Sequence, residues 1–300
     1  MTPDSAGIAI SAIDPASYYA DLTQQYGRYA GAARGWHYGL WEPDVRSHQQ
    51  ALLRSNEWLA RGVPLGPDAR VLDAGCGIGG FSTWMAATHQ CRVTGITICQ
   101  PHPAMAQALA ARAGVGDRCR FLAMDMDALA FSPATFDLVV NQDTLCHVAD
   151  KPAYLAAVAR VLKPGGAWRA LDFAVKDAPL SAEEQREYRA ACEGFHMPSM
   201  ASAAEVRDIM EGAGYTDIAC VDVTPLVRRT ARMIIGQCRG PEMLRALGLD
   251  WLIFSRDPQQ LANRRGHIRA ALAYSRGLFN GSFRHMHYSA RVPAASLSSK

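Results

Sequence analysis

Between residues 69 and 175, short runs of aliphatic and β-branched residues alternate with stretches whose apolar positions recur at helical spacing. RVLDAG (70–75), CRVTGIT (91–97), RCRFLAM (118–124), FDLVVNQ (136–142) and GGAWRALDF (165–173) read as strands. Helices are expected between them, one from Gly79, one from Pro103 and one from Lys151 to Leu162. Strands regularly separated by helices imply right-handed crossovers and a mainly parallel sheet covered on both faces. Upstream, Tyr19, Leu22, Tyr26 and Tyr29 share one face of a helix over about 18–34. A second helix, over about 43–60, turns Val45, Leu52, Leu53 and Leu59 inward. Beyond Val175 the chain is helix-rich through Gly214 and returns to a strand at DIACVDV (217–223). It then runs helically from about Leu226 to Leu278 and closes on a strand, SFRHMHYSARV (282–292). The expected organisation is a mobile tail (1–17), an N-terminal helical lid (18–65), an α/β core (66–175), and a helical cap that carries the last strands (176–300). No internal repeat is visible.

The most informative segment is VLDAGCGIGG (71–80). An apolar strand ends in a glycine-rich turn that opens a helix, and Gly75, Gly77 and Gly79 let the backbone approach a ligand closely. Such a turn alone is weak evidence, because dinucleotide enzymes use similar loops and many strand–helix turns only pack. Its neighbours make it specific. The second strand ends at Gly95-Ile96-Thr97, where a nucleoside-binding sheet places a polar group for the ribose. The third ends at Met124-Asp125-Met126, suited to an adenine amino group on Asp125 with Met126 against the ring.

Apolar residues form 49% and charged residues 20% of the chain, an ordinary globular composition. A net charge of +3 without a dense basic run argues against nucleic acid as a partner. No apolar run reaches bilayer length, so no membrane insertion is expected. The eight cysteines show neither CxxC nor metal-ligand spacing, which favours free thiols and no metal. With no Lys or Arg before Arg28, and with Asp4 and Asp14 present, the start lacks the basic character of a targeting peptide; a cytoplasmic location is expected. A homo-oligomer is compatible with the sequence.

VLDAGCGIGG, FDLVV (136–140) and LKPGG (162–166), in that order, resemble the class I S-adenosylmethionine methyltransferases over residues 69–175. The resemblance implies a Rossmann-like seven-stranded sheet and S-adenosylmethionine as methyl donor, with S-adenosylhomocysteine as product. It places the cofactor against Asp73, Gly75, Cys76, Gly77, Gly79, Asp125, Met126, Asn141 and Tyr38. Thr97 stands where an acidic ribose ligand is usual, so Thr97 with Gln100 or backbone groups would hold the ribose. WHYGLWE (36–42), GITICQ (95–100) and NQDTLCHV (141–148) look like the branch holding sterol, tocopherol and related natural-product methyltransferases. In that branch the acidic residue after strand four often lines the substrate pocket; Asp143 matches it, one methylene shorter than the commoner Glu, with His147 a helical turn later.

Methyl transfer from a sulfonium is an in-line displacement, so the protein mainly aligns reactants and excludes water. Asp143 reads either as a base or as the N-cap of the turn at Leu145-Cys146. His147 reads either as a base or substrate contact, or as a packing residue. Tyr19, Tyr26, Trp36, Tyr38 and Trp41 could wall a sulfonium and an apolar acceptor, or simply bury two amphipathic helices. Arg228 and Arg232, four apart beside Arg229, could converge on a diphosphate or carboxylate, or form a solvated helix face. His196, in GFHMPSM (194–200), falls on the substrate side. The expected acceptor is a small, largely apolar metabolite, with carbon methylation of an isoprenoid or related precursor favoured. The rivals are O- or N-methylation of a polyketide, alkaloid or amine, and a catalytically inert cofactor-binding partner subunit.

Overall fold

The five core strands form where the alternation placed them: β1 (Arg70–Ala74), β2 (Arg92–Thr97), β3 (Cys119–Ala123), β4 (Phe136–Gln142) and β5 (Leu162–Val175). With β6 (Thr216–Asp222) and β7 (Phe283–Arg291) they make one seven-stranded sheet in the order β3-β2-β1-β4-β5-β7-β6. β1 pairs in parallel with β2 on one side and β4 on the other, so the strand order reverses at their carboxyl ends. β7 runs antiparallel, inserted between β5 and β6. The computed structural model describes residues 18, 19, 21, 23, 35, 37–254 and 256–294. The expected tail and most of the first expected helix lie outside those residues. Among the described residues no helix is long and apolar enough to cross a membrane, and the eight cysteines are free thiols.

Capping chemistry sets the helix limits. α1 (His48–Ala60) starts five residues later than the apolar spacing suggested. The Ser47 hydroxyl accepts the Gln50 N–H at 3.2 Å while the Gln50 side chain accepts the Ser47 N–H at 3.1 Å, which fixes the first turn there. α2 (Gly80–His89) follows Gly79 in the left-handed region, α3 (His102–Arg112) follows Pro101, and α4 (Lys151–Val161) is capped by Asp150. Ser–Glu capping boxes open both α5 (Ala182–Phe195) and α6 (Ala203–Gly212). The single helical stretch expected over 226–278 is two helices, α7 (Thr224–Ala246) and α8 (Pro258–Asn280). Gly248 at φ +71° ends the first, and Asp257 starts the second by accepting the Gln260 N–H.

Alternate residues of each strand serve opposite layers. Val71, Leu138 and Val140 pack with Leu59 of α1, Met85 of α2, Val227 of α7 and Tyr274 of α8. Leu72 and Val139 pack with Leu155 and Val158 of α4 and Met210 of α6. α1 is therefore part of the body: Leu52 and Leu59 are buried, and Leu40 donates its N–H to the Ala51 carbonyl.

Candidate functional site

At the carboxyl edge of β1, β2 and β4, roofed by α5, α7 and α8, lies a cavity of about 620 Å³, in the range of small-molecule sites. One end is built by the glycine turn. Gly75 (φ +93°) and Gly77 (φ +49°) both take left-handed backbone and line the cavity. A Cβ on Gly75 would run into Thr144, so this glycine lets the β1 turn approach the β4 turn. Asp73, Cys76 and Thr97 also line this end. Asp73 is almost fully buried and accepts the Ser82 hydroxyl at 2.5 Å; burial lifts its pKa to about 6. Thr97 Oγ1 accepts the Cys99 N–H at 3.2 Å. At the end of β3, Asp125 accepts the Asp127 N–H at 3.0 Å, and Asp125, Met126 and Asp127 line the wall together. A glycine-floored concavity at a strand switch point, flanked by a hydroxyl and carboxylates, fits the nucleoside of S-adenosylmethionine. That cofactor supplies an electrophilic methyl group on a sulfonium.

The other end carries the acid–base groups. Asp143 follows β4 at φ +52°, with its side chain largely covered. It caps nothing: Asp172 on β5 accepts the N–H groups of Thr144 (2.8 Å), Leu145 (2.6 Å) and Cys146 (3.1 Å). The cap reading of Asp143 is thus corrected, because the neighbouring strand already supplies a carboxylate to that turn. Asp143 instead accepts the Tyr38 N–H at 3.1 Å. Burial, then the charge of Asp172, pushes the Asp143 carboxyl well above its usual range. His147 bonds the Tyr19 hydroxyl at 2.7 Å through Nε2, and His196 caps the C-terminus of α5 at φ +55°. Both line the cavity, as do Tyr19 and Tyr38.

Six of the nine histidines face this one space: His37, His48, His102, His147, His196 and His267. Burial lowers the pKa of His37, His102, His147 and His267 to about 4, and moves His48 and His196 in the same direction. These imidazoles are neutral at physiological pH. Four of them went unnoticed in the sequence, as did Asp127 and Tyr18, because they come from separate elements with no shared spacing.

Several expected site residues lie elsewhere. Gly79 packs α2, since a Cβ there would meet Ala106 and Phe121. Gln100 is exposed. Asn141 is fully buried behind the wall, accepting from Tyr154 and Trp168 and donating to Thr144. Trp41 donates to Thr230 at 3.0 Å and lies 3.8 Å beneath the Arg229 guanidinium, tying its segment to α7. Arg228 and Arg232 do not line the cavity: both guanidiniums lie over the Phe279 ring, where α7 meets the end of α8. Tyr26 and Trp36 fall outside the described residues.

A family model described as a methyltransferase domain matches residues 71–166. The chain is 31% identical over 192 residues to 27-O-demethylrifamycin SV methyltransferase of Amycolatopsis mediterranei (strain S699), covering 64% of this chain and 70% of that protein. It is 28% identical over 205 residues to cycloartenol-C-24-methyltransferase of Arabidopsis thaliana, covering 67% of this chain but only 60% of that protein. In fold it resembles the cyclopropane synthase MmaA2 of Mycobacterium tuberculosis, with a TM-score of 0.77 at 15% identity over 96% of this chain and 100% of that one. With the sheet order and the glycine turn, these similarities place the chain in the class I S-adenosylmethionine-dependent methyltransferase family, as an enzyme that methylates a small molecule.

Proposed function

We propose that this enzyme methylates a hydroxyl oxygen on a bulky, largely apolar, oxygenated metabolite. The observation that carries this reading is the set of six neutral imidazoles around one cavity. Neutral imidazoles donate or accept hydrogen bonds without imposing charge, which suits hydroxyl and carbonyl groups on a carbon skeleton. Between them Tyr18, Tyr38, Phe173, Phe195 and Phe254 supply apolar wall. An alcohol or phenol must lose its proton during methylation. The proton acceptor proposed here is His147, reached through the Tyr19 hydroxyl. An O-methylated product also agrees with what the name of the rifamycin relative describes.

Carbon methylation of an isoprenoid is the second reading, favoured by the Asp143 carboxyl beside the aromatic side chains of the wall. Its diphosphate version draws no support from Arg228 and Arg232, which lie outside the cavity lining and over Phe279. The test offers the enzyme methyl-labelled cofactor with a panel of phenolic and polyketide alcohols and of prenyl chains. NMR of the product then tells oxygen-bound from carbon-bound methyl. Label on carbon alone would overturn the oxygen reading.

A further inference from the structure

His285 lies on β7, behind the cavity wall. Its Nε2 is 3.5 Å from Oδ1 of Asp143; the side chains are 1% and 8% exposed, and neither atom has a hydrogen-bond partner among the described residues. The tautomer of His285 follows from its other nitrogen. The Tyr274 hydroxyl donates its one proton to the Arg284 carbonyl at 2.8 Å, leaving its oxygen as an acceptor. Nδ1 of His285, 3.1 Å from that oxygen, must therefore be the donor. Nε2 then presents a lone pair to Asp143. Two lone pairs facing each other in a dry interior repel, so a proton must lie between them.

The surroundings fix the charge. Asp143 is faced by Asp172 from β5, Cys146 from the following turn, Tyr274 from α8 and Tyr38 from the segment before α1; His37 is the further ionisable neighbour of His285. None is a lysine or arginine. Asp172 is already committed as the anion that caps the turn. A second lone carboxylate beside it would be costly, whereas a pair holding one proton is neutral overall.

We propose that Asp143 and His285 hold one proton between Oδ1 and Nε2 as a net-neutral pair, and that His285 is thereby the positioning residue that orients Asp143 and, through it, Tyr38 at the cavity wall. The path is continuous, from the Arg284 carbonyl through Tyr274, His285 and Asp143 to the Tyr38 N–H. The inference is independent of which acceptor atom is methylated.

The test uses the full chain saturated with S-adenosylhomocysteine and labelled with ¹⁵N-histidine. Long-range ¹H–¹⁵N spectra are followed from about pH 5 to pH 8, where an ordinary histidine titrates. His285 should carry its hydrogen on Nδ1, show an Nε2 that accepts a hydrogen bond, and not change across the range. Its resonance is identified by its loss in His285→Phe, or by through-bond assignment where that variant fails to fold. Asp143→Asn can still donate to Nε2 and accept from Tyr38, so it should keep the same tautomer and lower Tm by about 2 °C or less; Asp143→Leu should lower it by about 4 °C or more. A hydrogen on Nε2 with Nδ1 bare, a histidine that titrates within the range, or an Asn variant as damaged as the Leu variant would each overturn the proposal.

Discussion

The hydroxyl of Tyr19 lies 2.7 Å from Nε2 of His147, joining the N-terminal segment to the turn after β4. If this pair receives the acceptor proton, His147→Phe should lower turnover about a hundredfold or more, the usual worth of a well-placed base. Tyr19→Phe, which keeps the ring, should lower it about tenfold, with S-adenosylhomocysteine affinity unchanged in both. Single-turnover rates decide the matter: a His147→Phe enzyme at wild-type speed would remove His147 from the chemistry.

The same segment is also held through two other histidines, and through Asp21, which accepts from Asn263 and Arg264. Tyr18 bonds His267 at 2.6 Å and Thr23 bonds His102 at 2.8 Å. Burial sets all three imidazoles at about pKa 4. Exposed to water by opening, each would return towards its ordinary value of about 6.5, so the open state gains protons first as pH falls. Closure should be constant above about pH 7 and weaken progressively from about pH 6.5 towards pH 4. Hydrogen exchange in peptides spanning Tyr18 to Thr23, corrected for intrinsic rates, should show less protection at about pH 5 than at about pH 7.5. Equal protection would mean the histidines do not govern the segment.

Gly77 and Gly79 should fail differently. Gly77→Val puts a branched side chain on a left-handed residue of the cavity wall. S-adenosylhomocysteine binding, expected in the micromolar range, should weaken about a hundredfold or more by calorimetry. Gly79→Ala should instead lower Tm, because its Cβ meets Ala106 and Phe121 rather than ligand. Wild-type affinity in folded Gly77→Val would contradict the placement of the cofactor.

Asp172 accepts four backbone N–H groups, those of Thr144, Leu145, Cys146 and Phe173. Asn offers one acceptor oxygen and turns an NH₂ towards donors. Asp172→Asn should therefore cost about 2–4 kcal/mol in denaturant unfolding. A loss below about 0.5 kcal/mol would show that the turn holds without its cap.

What the sequence revealed was local in origin. β1, its glycine turn and α2 are contiguous, and their roles follow from alternation and from where left-handed backbone is needed. Asp143 was correctly placed at the strand edge, but its role depends on Asp172 and His285, which arrive from other strands. Arg228 and Arg232 do share a helix face, as their spacing says; that Phe279 lies opposite is a fact of tertiary packing. The break between α7 and α8 was signalled by Gly248 and Asp257-Pro258, yet helical periodicity on both sides masked it. The histidine-lined wall was the least legible feature, since its six members come from scattered positions and only the closed sheet edge gathers them.

The insertion of β7 between β5 and β6 has a consequence for synthesis. The strands that frame the nucleoside end, residues 70–142, leave the ribosome early and can pair as they emerge. β5 and β6 must wait, each with an open edge, until Phe283–Arg291 has been translated. A nascent chain thus gains the means to hold its cofactor before it gains His285 or a complete sheet. In that interval the unpaired edges of β5 and β6 are what a chaperone, or a neighbouring polysome product, would meet.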